Sequence, residues 1–328
     1  MSIGRHLVVI VAAALALAGC GPSSVSGTSR PVETSQPASS AGSAPHAGAA
    51  PTVTAAPPTP HGSSSASRVR SHPTKVLVVI EENHSLHEML SEMPYLAALS
   101  SRYGYATRWH ALTHPSEPNY LAIVGGSTFG IRDDRPPAQN ASKVGHARSV
   151  FSQARQAGRS ARTYAELMPS RCALRDHGAY AVRHNPWTFF AADRAACHAG
   201  DLNTDTFRAD AQANRLPNVG LLIPDVDDDA HDASLARADR WLKRTLTPVL
   251  ASTDFTSGRL VVVVTADEDD RTSGNIVLTS VLTPRVSHLV VKTPLTHYSL
   301  TRFLDEVLGV APLGNARGAP DMGSAFGL

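Results

Sequence analysis

The chain has 328 residues, of which 42% are hydrophobic and 18% charged, with a formal net charge of +2. That composition excludes a wholly disordered or fibrous chain. The balanced charge and 5% aromatic content speak against a nucleic-acid partner, which needs a concentrated basic face or a base-stacking surface.

Residues 1–20 read as an address rather than as fold. Arg5 gives a short positive start, and Leu7 to Ala18 is unbroken apolar sequence. The run is too short for a permanent bilayer span of about 20 residues but suits a secretory signal. It ends in Leu17-Ala18-Gly19-Cys20, which resembles the lipobox of bacterial lipoproteins. On that reading Cys20 is lipidated and anchors the mature chain to the extracytoplasmic face of the cell membrane; the alternative is an ordinary signal peptide and secretion. Residues 21–73 are Ser, Pro, Ala, Thr and Gly with almost no large apolar side chain. They read as a disordered tether, leaving one folded domain over 74–328.

That domain opens with a buried strand, Lys75 to Ile80. Helix-spaced apolar residues follow over 85–101, interrupted near Pro94, and then a strand over 105–112. A helix is predicted from Asn119 to Gly125, another over 150–157, and strands over 161–167 and 219–223. Ser234 is the expected N-cap of a helix reaching Leu250. Arg259 to Thr265 is the strongest strand; 276–282 and 289–291 are strands at one side, and a helix over 297–308 closes the domain. Strand–helix alternation predicts an α/β fold, a mostly parallel central sheet with helices on both faces. Function then collects beyond the carboxyl ends of the strands.

Cys172 and Cys197 are an even pair once Cys20 is set aside. In an exported protein they predict one disulfide, worth about 3 kcal/mol in the chain-entropy model, against two free buried thiols.

Three of the buried strands end in acid. Glu81-Glu82-Asn83-His84 follows the first, Asp225 to Asp232 follows 219–223, and Asp267-Glu268-Asp269-Asp270 follows 259–265. Like charges gathered at one sheet edge repel and raise one another's pKa, and a divalent metal ion relieves that. Solvated Asp-rich turns are the alternative for any one segment. Ser116, ahead of the apolar run 121–124, stands in the turn before a helix, where it either caps the helix or acts as a nucleophile.

Six segments in order carry a resemblance. They are Glu82-Asn83-His84-Ser85, His114-Pro115-Ser116-Glu117-Pro118-Asn119-Tyr120, His184-Asn185-Pro186-Trp187, Asp229-Ala230-His231-Asp232, Asp267 to Asp270, and His297-Tyr298-Ser299. Together they resemble the bacterial phosphoesterase family of acid phosphatases and phospholipases C, within the alkaline phosphatase superfamily. The Ser116-x-Pro-Asn-Tyr segment is also similar to the Thr-x-Pro-Asn turn of nucleotide pyrophosphatases. The resemblance implies an alkaline-phosphatase-like fold and a metal-dependent phosphomonoesterase working through a phosphoserine at Ser116. Glu82, Asn83, Asp267 and Glu268 would bind a metal that Ser116 also ligates and that activates its hydroxyl. Asn119 would donate to a phosphoryl oxygen. Asp229, His231 and His297 would form a second metal site or an acid–base cluster, with Asp227 the rival of Asp229. His114 and His184 would contact phosphate or transfer a proton. Ala230 departs from the family pattern, where glycine or methionine is usual, and Ala266 stands where an aromatic is expected. A phospholipase C or other phosphodiesterase, and a non-catalytic metal- or phosphate-binding lipoprotein, are the competing functions. A sulfatase is disfavoured, because no formylglycine sequence surrounds residue 116.

Overall fold

A computed structural model of the chain describes residues 72–328. The expected signal segment, the lipidation of Cys20 and nearly all of the tether lie outside the described residues. No helix among those described is long and apolar enough to cross a membrane.

The strands are β1 (Lys75–Glu81), β2 (Gly104–Ala106), β3 (Trp109–His110), β4 (Ala161–Ala165), β5 (Asp201–Asn203), β6 (Val219–Ile223), β7 (Leu260–Ala266), β8 (Thr279–Leu282), β9 (Leu289–Val291) and β10 (Leu295–Thr296). The helices are α1 (Leu86–Glu92), α2 (Pro94–Arg102), α3 (Ser116–Gly125), α4 (Pro137–Val144), α5 (Val150–Gln156), α6 (Arg194–Gly200), α7 (Thr204–Gln212), α8 (Leu235–Leu250), α9 (Thr253–Thr256), α10 (His297–Leu308) and α11 (Met322–Phe326).

Eight strands form one sheet in the order β5-β4-β6-β1-β7-β8-β2-β9. The pairs from β5 to β7 are parallel, and β8 alone runs against its neighbours β7 and β2. β1, β6 and β7 are buried along nearly their whole length, as expected of central strands covered on both faces. Helices α1, α2, α7 and α8 pack together, and α3, α5 and α10 form a separate packed group. The predicted α/β architecture with a mostly parallel sheet is thus the observed one.

Local chemistry explains the helix ends. Pro94 begins α2 and so separates it from α1, since its ring lacks an N–H and suits the first helical turn. No side chain of its own caps α2; Asp239 of α8 accepts from the backbone N–H groups of Tyr95 and Leu96, each at 2.9 Å. Gly126 ends α3 at φ 66°, and a Cβ there would meet the Leu313 carbonyl oxygen at 2.4 Å, which reserves the position for glycine.

Three expectations change. The strand predicted over 105–112 is two pieces: Tyr105 pairs with Ser280 in the large sheet, whereas Trp109 and His110 pair with β10 in a two-stranded sheet. Polar Thr107-Arg108 forms the bend between them. The helix after residue 115 begins at Ser116 rather than Asn119, with Pro115 in the N-cap position, so Ser116 is the first helical residue and not part of a preceding turn. Ser234 occupies the N-cap of α8, but its side chain makes no capping hydrogen bond. The short elements α4, α6, α7 and β5 carry too few periodic residues to be read in advance.

The start of β1 is tied to the turn before β7. Lys75 Nζ lies 2.6 Å from Asp254 Oδ2, and Arg259 Nη2 lies 2.7 Å from Asp254 Oδ1. Although burial opposes it, hydrogen bonds from Lys75 and Arg259 hold the Asp254 carboxyl below its ordinary range. Its stabilisation is therefore complete above the ordinary Asp pKa of about 3.9 and fades as pH falls through the lower folded value. Asp254→Asn should cost about 2 kcal/mol at pH 7. The difference from wild type should shrink in urea melts taken well below an ordinary Asp pKa; a pH-independent cost would contradict this.

Candidate active site

β6, β1 and β7 are adjacent and parallel, so their carboxyl ends deliver their loops to one edge. The ladder continues into those loops: Glu82 N–H donates to the Asp229 carbonyl (2.9 Å), and Asp267 N–H donates to the Glu81 carbonyl (3.1 Å). This brings Glu82, Asp229 and Asp267 together.

Ser116 opens α3, and its Oγ donates to Glu82 Oε2 at 3.1 Å. Tyr120 donates to Glu82 Oε1 through its hydroxyl. The two donors are four residues apart, hence on one helix face. Tyr120 lay inside the recognised segment without a role; its i+4 relation to Ser116 was the available signal. Asn119, also buried, faces inward differently. Its Nδ2 donates to the Thr113 carbonyl (2.8 Å) and Glu268 Oε2 (3.1 Å), and its Oδ1 accepts from Leu112 N–H (3.1 Å). Its amide thus ties the 112–116 segment to Glu268 instead of pointing at an open phosphate seat.

Asn83 N–H donates to Asp267 Oδ1 at 3.3 Å. Asn83 Oδ1 and Asp267 Oδ2 are both buried and receive no hydrogen bond among the described residues. Burial raises the Glu82 carboxyl well above its usual range, and the charges of Asp267 and Asp229 add to the effect. Burial likewise pushes Asp267 up to about 7, opposed by hydrogen bonds from the backbone N–H groups of Asn83 and Glu268. Glu268 rises to about 9 through burial and then the charge of Asp267. Orphaned acceptors beside mutually repelling carboxylates fit a divalent cation, whose ligands are oxygens of this kind. Asn83 sits at φ 53° and Ala230 at φ 74°, left-handed conformations of the sort that gather at functional sites. At Ala230, glycine would adopt that φ freely, a physical reason for the residue usual there.

His184 is also buried, stacked on Tyr120 with ring centroids 5.1 Å apart. Its Nδ1 lies 3.2 Å from Asp229 Oδ2, its Nε2 3.5 Å from Glu82 Oε1. Ligand atoms of Glu82, His184 and Asp229 all fall within 4.8 Å of one another. Burial, then the charge of Arg183, holds the His184 imidazole neutral, well below its usual pKa, the form that ligates metals. His184, expected as a phosphate contact, thus completes a second cation-type group that shares Glu82.

The other histidines are placed differently. His297, expected as a metal ligand or acid–base group, is enclosed. Its Nε2 lies 2.6 Å from the Asp267 carbonyl oxygen, and Trp109 Nε1 donates to its Nδ1 at 3.3 Å. Both ring nitrogens are engaged, and burial lowers its pKa to about 4, so it positions the Asp267 backbone and has no lone pair for a metal. His231 is partly exposed, with Nδ1 2.6 Å from Asp232 Oδ1 and Nε2 3.1 Å from Arg183 Nη2; its backbone N–H donates to Asp229 Oδ1 at 2.8 Å, and its ring centroid lies 5.8 Å from that of His184. His114 lies 3.1 Å from Glu268 Oε1 and 3.2 Å from Asp269 Oδ1. Asp227 pairs with Arg237 at 3.0 Å on the surface, whereas Asp229 is fully buried; geometry therefore favours Asp229 over its rival. Arg183 is a functional candidate that the sequence reading missed, adjacent to His184 and otherwise unmarked by any motif.

Cys172 and Cys197 form the expected disulfide, with Cα atoms 5.5 Å apart. It closes the segment that carries Arg183 and His184.

Residues 89–311 match the model of the Phosphoesterase family. The chain is 31% identical over 255 residues to a phosphatidylinositol-3-phosphatase of Mycobacterium tuberculosis, covering 77% of this chain and 82% of that protein. It is 31% identical over 220 residues to a phosphate-repressible acid phosphatase of Penicillium chrysogenum, covering 63% of this chain and 52% of the fungal one. Among solved structures, an alkaline phosphatase superfamily protein of Vibrio parahaemolyticus aligns at TM-score 0.52 and 12% identity, over 73% of this chain and 67% of that one. A phosphonate monoester hydrolase of Silicibacter pomeroyi aligns at TM-score 0.52 and 14% identity, over 77% and 76%. The structural likenesses establish an alkaline-phosphatase-like fold.

If the orphaned oxygens hold a cation, adding a divalent ion to chelator-treated protein should raise its melting midpoint by about 5 °C. Asp267→Asn should abolish that rise in differential scanning fluorimetry. An equal rise in the variant would separate the ion from this pocket.

Proposed function

This chain belongs to the phosphoesterase family and is a phosphoester hydrolase, and on that premise we propose a metal-dependent phosphomonoesterase of the acid-phosphatase kind with Ser116 as nucleophile. One observation carries the reading: the Ser116 hydroxyl, at the head of α3, is hydrogen-bonded to buried Glu82 beside the unpaired oxygens of Asn83 and Asp267. The relatives named above as acid phosphatase and phosphatidylinositol-3-phosphatase both cleave phosphomonoesters, which favours a monoester over a diester substrate.

Ser116 Oγ attacks phosphorus in line, the alcohol departs, and water releases phosphate from the phosphoserine. Glu82 Oε2 accepts the hydroxyl proton, and Tyr120 fixes the other carboxylate oxygen, so the attacking oxygen is oriented before substrate arrives. A divalent ion held by Glu82, Asn83, Asp267 and Glu268 would supply Lewis acidity and lower the hydroxyl pKa of Ser116. Asn119 and His114 hold Glu268 in place. His184 and Asp229, together with Glu82, would hold a second cation. We assign proton exchange with the leaving oxygen to His231, which Asp232 orients through Nδ1. We place the enzyme outside the cytoplasm, lipid-anchored through Cys20 by way of the tether; the disulfide, a feature of oxidising compartments, supports export.

Ser116→Ala should lower turnover of a chromogenic phosphomonoester by about ten-thousandfold while bound metal is retained. Chelation should remove activity and a divalent ion restore it. Wild-type rates in the variant would refute the nucleophile, and faster cleavage of a phosphatidyl lipid diester would move the assignment to a phospholipase C.

A further inference from the structure

Asp134 lies between α3 and α4, far in sequence from every acidic loop already described. Its Oδ1 accepts a hydrogen bond from the backbone N–H of Glu117 at 2.9 Å. Glu117 is the residue after Ser116, in the first turn of α3. Backbone N–H groups at a helix start have no partner within the helix and sit at the positive end of its dipole, so they receive anions. Here the anion is the chain's own carboxylate, one residue from the nucleophile.

The neighbouring groups make this more than a cap. Asp133, next in the chain, is turned elsewhere: its Oδ1 accepts from Asn140 Nδ2 at 2.8 Å. The same Nδ2 donates to Glu117 Oε1 at 2.9 Å, pinning the loop against α3. Desolvation raises the Asp134 carboxyl above its ordinary range, opposed by the Glu117 N–H and then by Arg183 and His231, and its charge in turn acts on Asp267 and Glu268. Asp134 therefore shares one electrostatic neighbourhood with Arg183, His231 and the carboxylates beside Ser116. Among the described residues, Arg183 makes one hydrogen bond, from Nη2 to His231 Nε2. The rest of its five-donor planar fork is uncommitted, in the geometry that matches phosphate.

We propose that Asp134 is an internal stand-in for the substrate's phosphoryl group, holding the anion seat at the head of α3, and that Arg183 takes the phosphoryl charge when Asp134 gives way. The proposal rests on Ser116 being the nucleophile and deepens that reading. A substrate or product phosphate must displace a carboxylate to bind. A phosphoryl dianion has more to gain from the helix terminus and the guanidinium than the monoanion it replaces. Asp134 is then a competitor that weakens binding of free phosphate, and Arg183 a catalytic residue that touches the transferred group.

Calorimetric titration with inorganic phosphate tests this in full-length protein carrying Ser116→Ala, in one divalent-ion buffer, so that no turnover intervenes. Asp134→Ala and the gentler Asp134→Asn should each tighten phosphate binding by about tenfold, and Arg183→Ala should weaken it by about tenfold. Melting curves check that each variant is folded, and metal content is measured alongside. Unchanged or weaker binding in both Asp134 variants, or unchanged binding in the Arg183 variant, would overturn the proposal. So would loss of metal on replacing Asp134, which would make it a ligand. Failure of the nucleophile assignment shows separately, as hydrolysis surviving in Ser116→Ala alone.

Discussion

Carboxylates at the carboxyl ends of three adjoining parallel strands are the constraint on which the rest depends. β6, β1 and β7 are held in register by consecutive backbone ladders, and each hands its loop to the same edge. Glu82, Asp229 and Asp267 are consequently buried side by side, in an arrangement that burial and mutual repulsion both oppose. The sheet's apolar interior holds it together. Valines dominate β1 and β7, and a fully buried side chain of that size contributes about 1.5–3 kcal/mol. The strain is local and the stabilisation is spread through the sheet, a division common at catalytic sites.

α3 converts that acidic pocket into a directed one. Its first residue, Ser116, and its fifth, Tyr120, grip the two oxygens of Glu82. Asn119 between them ties the preceding segment to Glu268. One helical turn therefore sets the nucleophile, the orientation of one carboxylate and the position of another. α10 packs on α3, and Thr301 donates from it to the Ala122 carbonyl at 2.7 Å, so the turn rests on an ordered support. His297 begins that supporting helix and reaches the Asp267 backbone, linking support and pocket through a single side chain.

The segment closed by Cys172–Cys197 contributes the remaining wall. It has little regular structure beyond short single-turn helices and α6, yet it brings Arg183 and His184 to the pocket. Asn185, next in the chain, donates to Asp201 Oδ2 at 2.8 Å and Tyr180 Oη at 3.1 Å. The disulfide and this buried network supply the order that a loop of this composition lacks on its own.

Strands β1, β6 and β7, the helices α8 and α10, the disulfide and the acidic loops were legible because each is written locally, as a β-branched run, a 3.6-residue period, a cysteine pair or a cluster of charge. Ser116, Glu82, Asp229 and Asp267 were legible as chemistry for the same reason. The tertiary structure alone decided partners. It turned His297 inward onto a carbonyl, moved His184 from phosphate contact to the side of Asp229, left Asp227 with Arg237, and brought Asp134 to the Glu117 N–H and Arg183 to His231. Those choices depend on side-chain direction across contacts far apart in the chain, such as the 188 residues between Trp109 and His297. Residue type announces what a group is able to do, but the donor or acceptor it finally meets is set by packing, which no local pattern encodes.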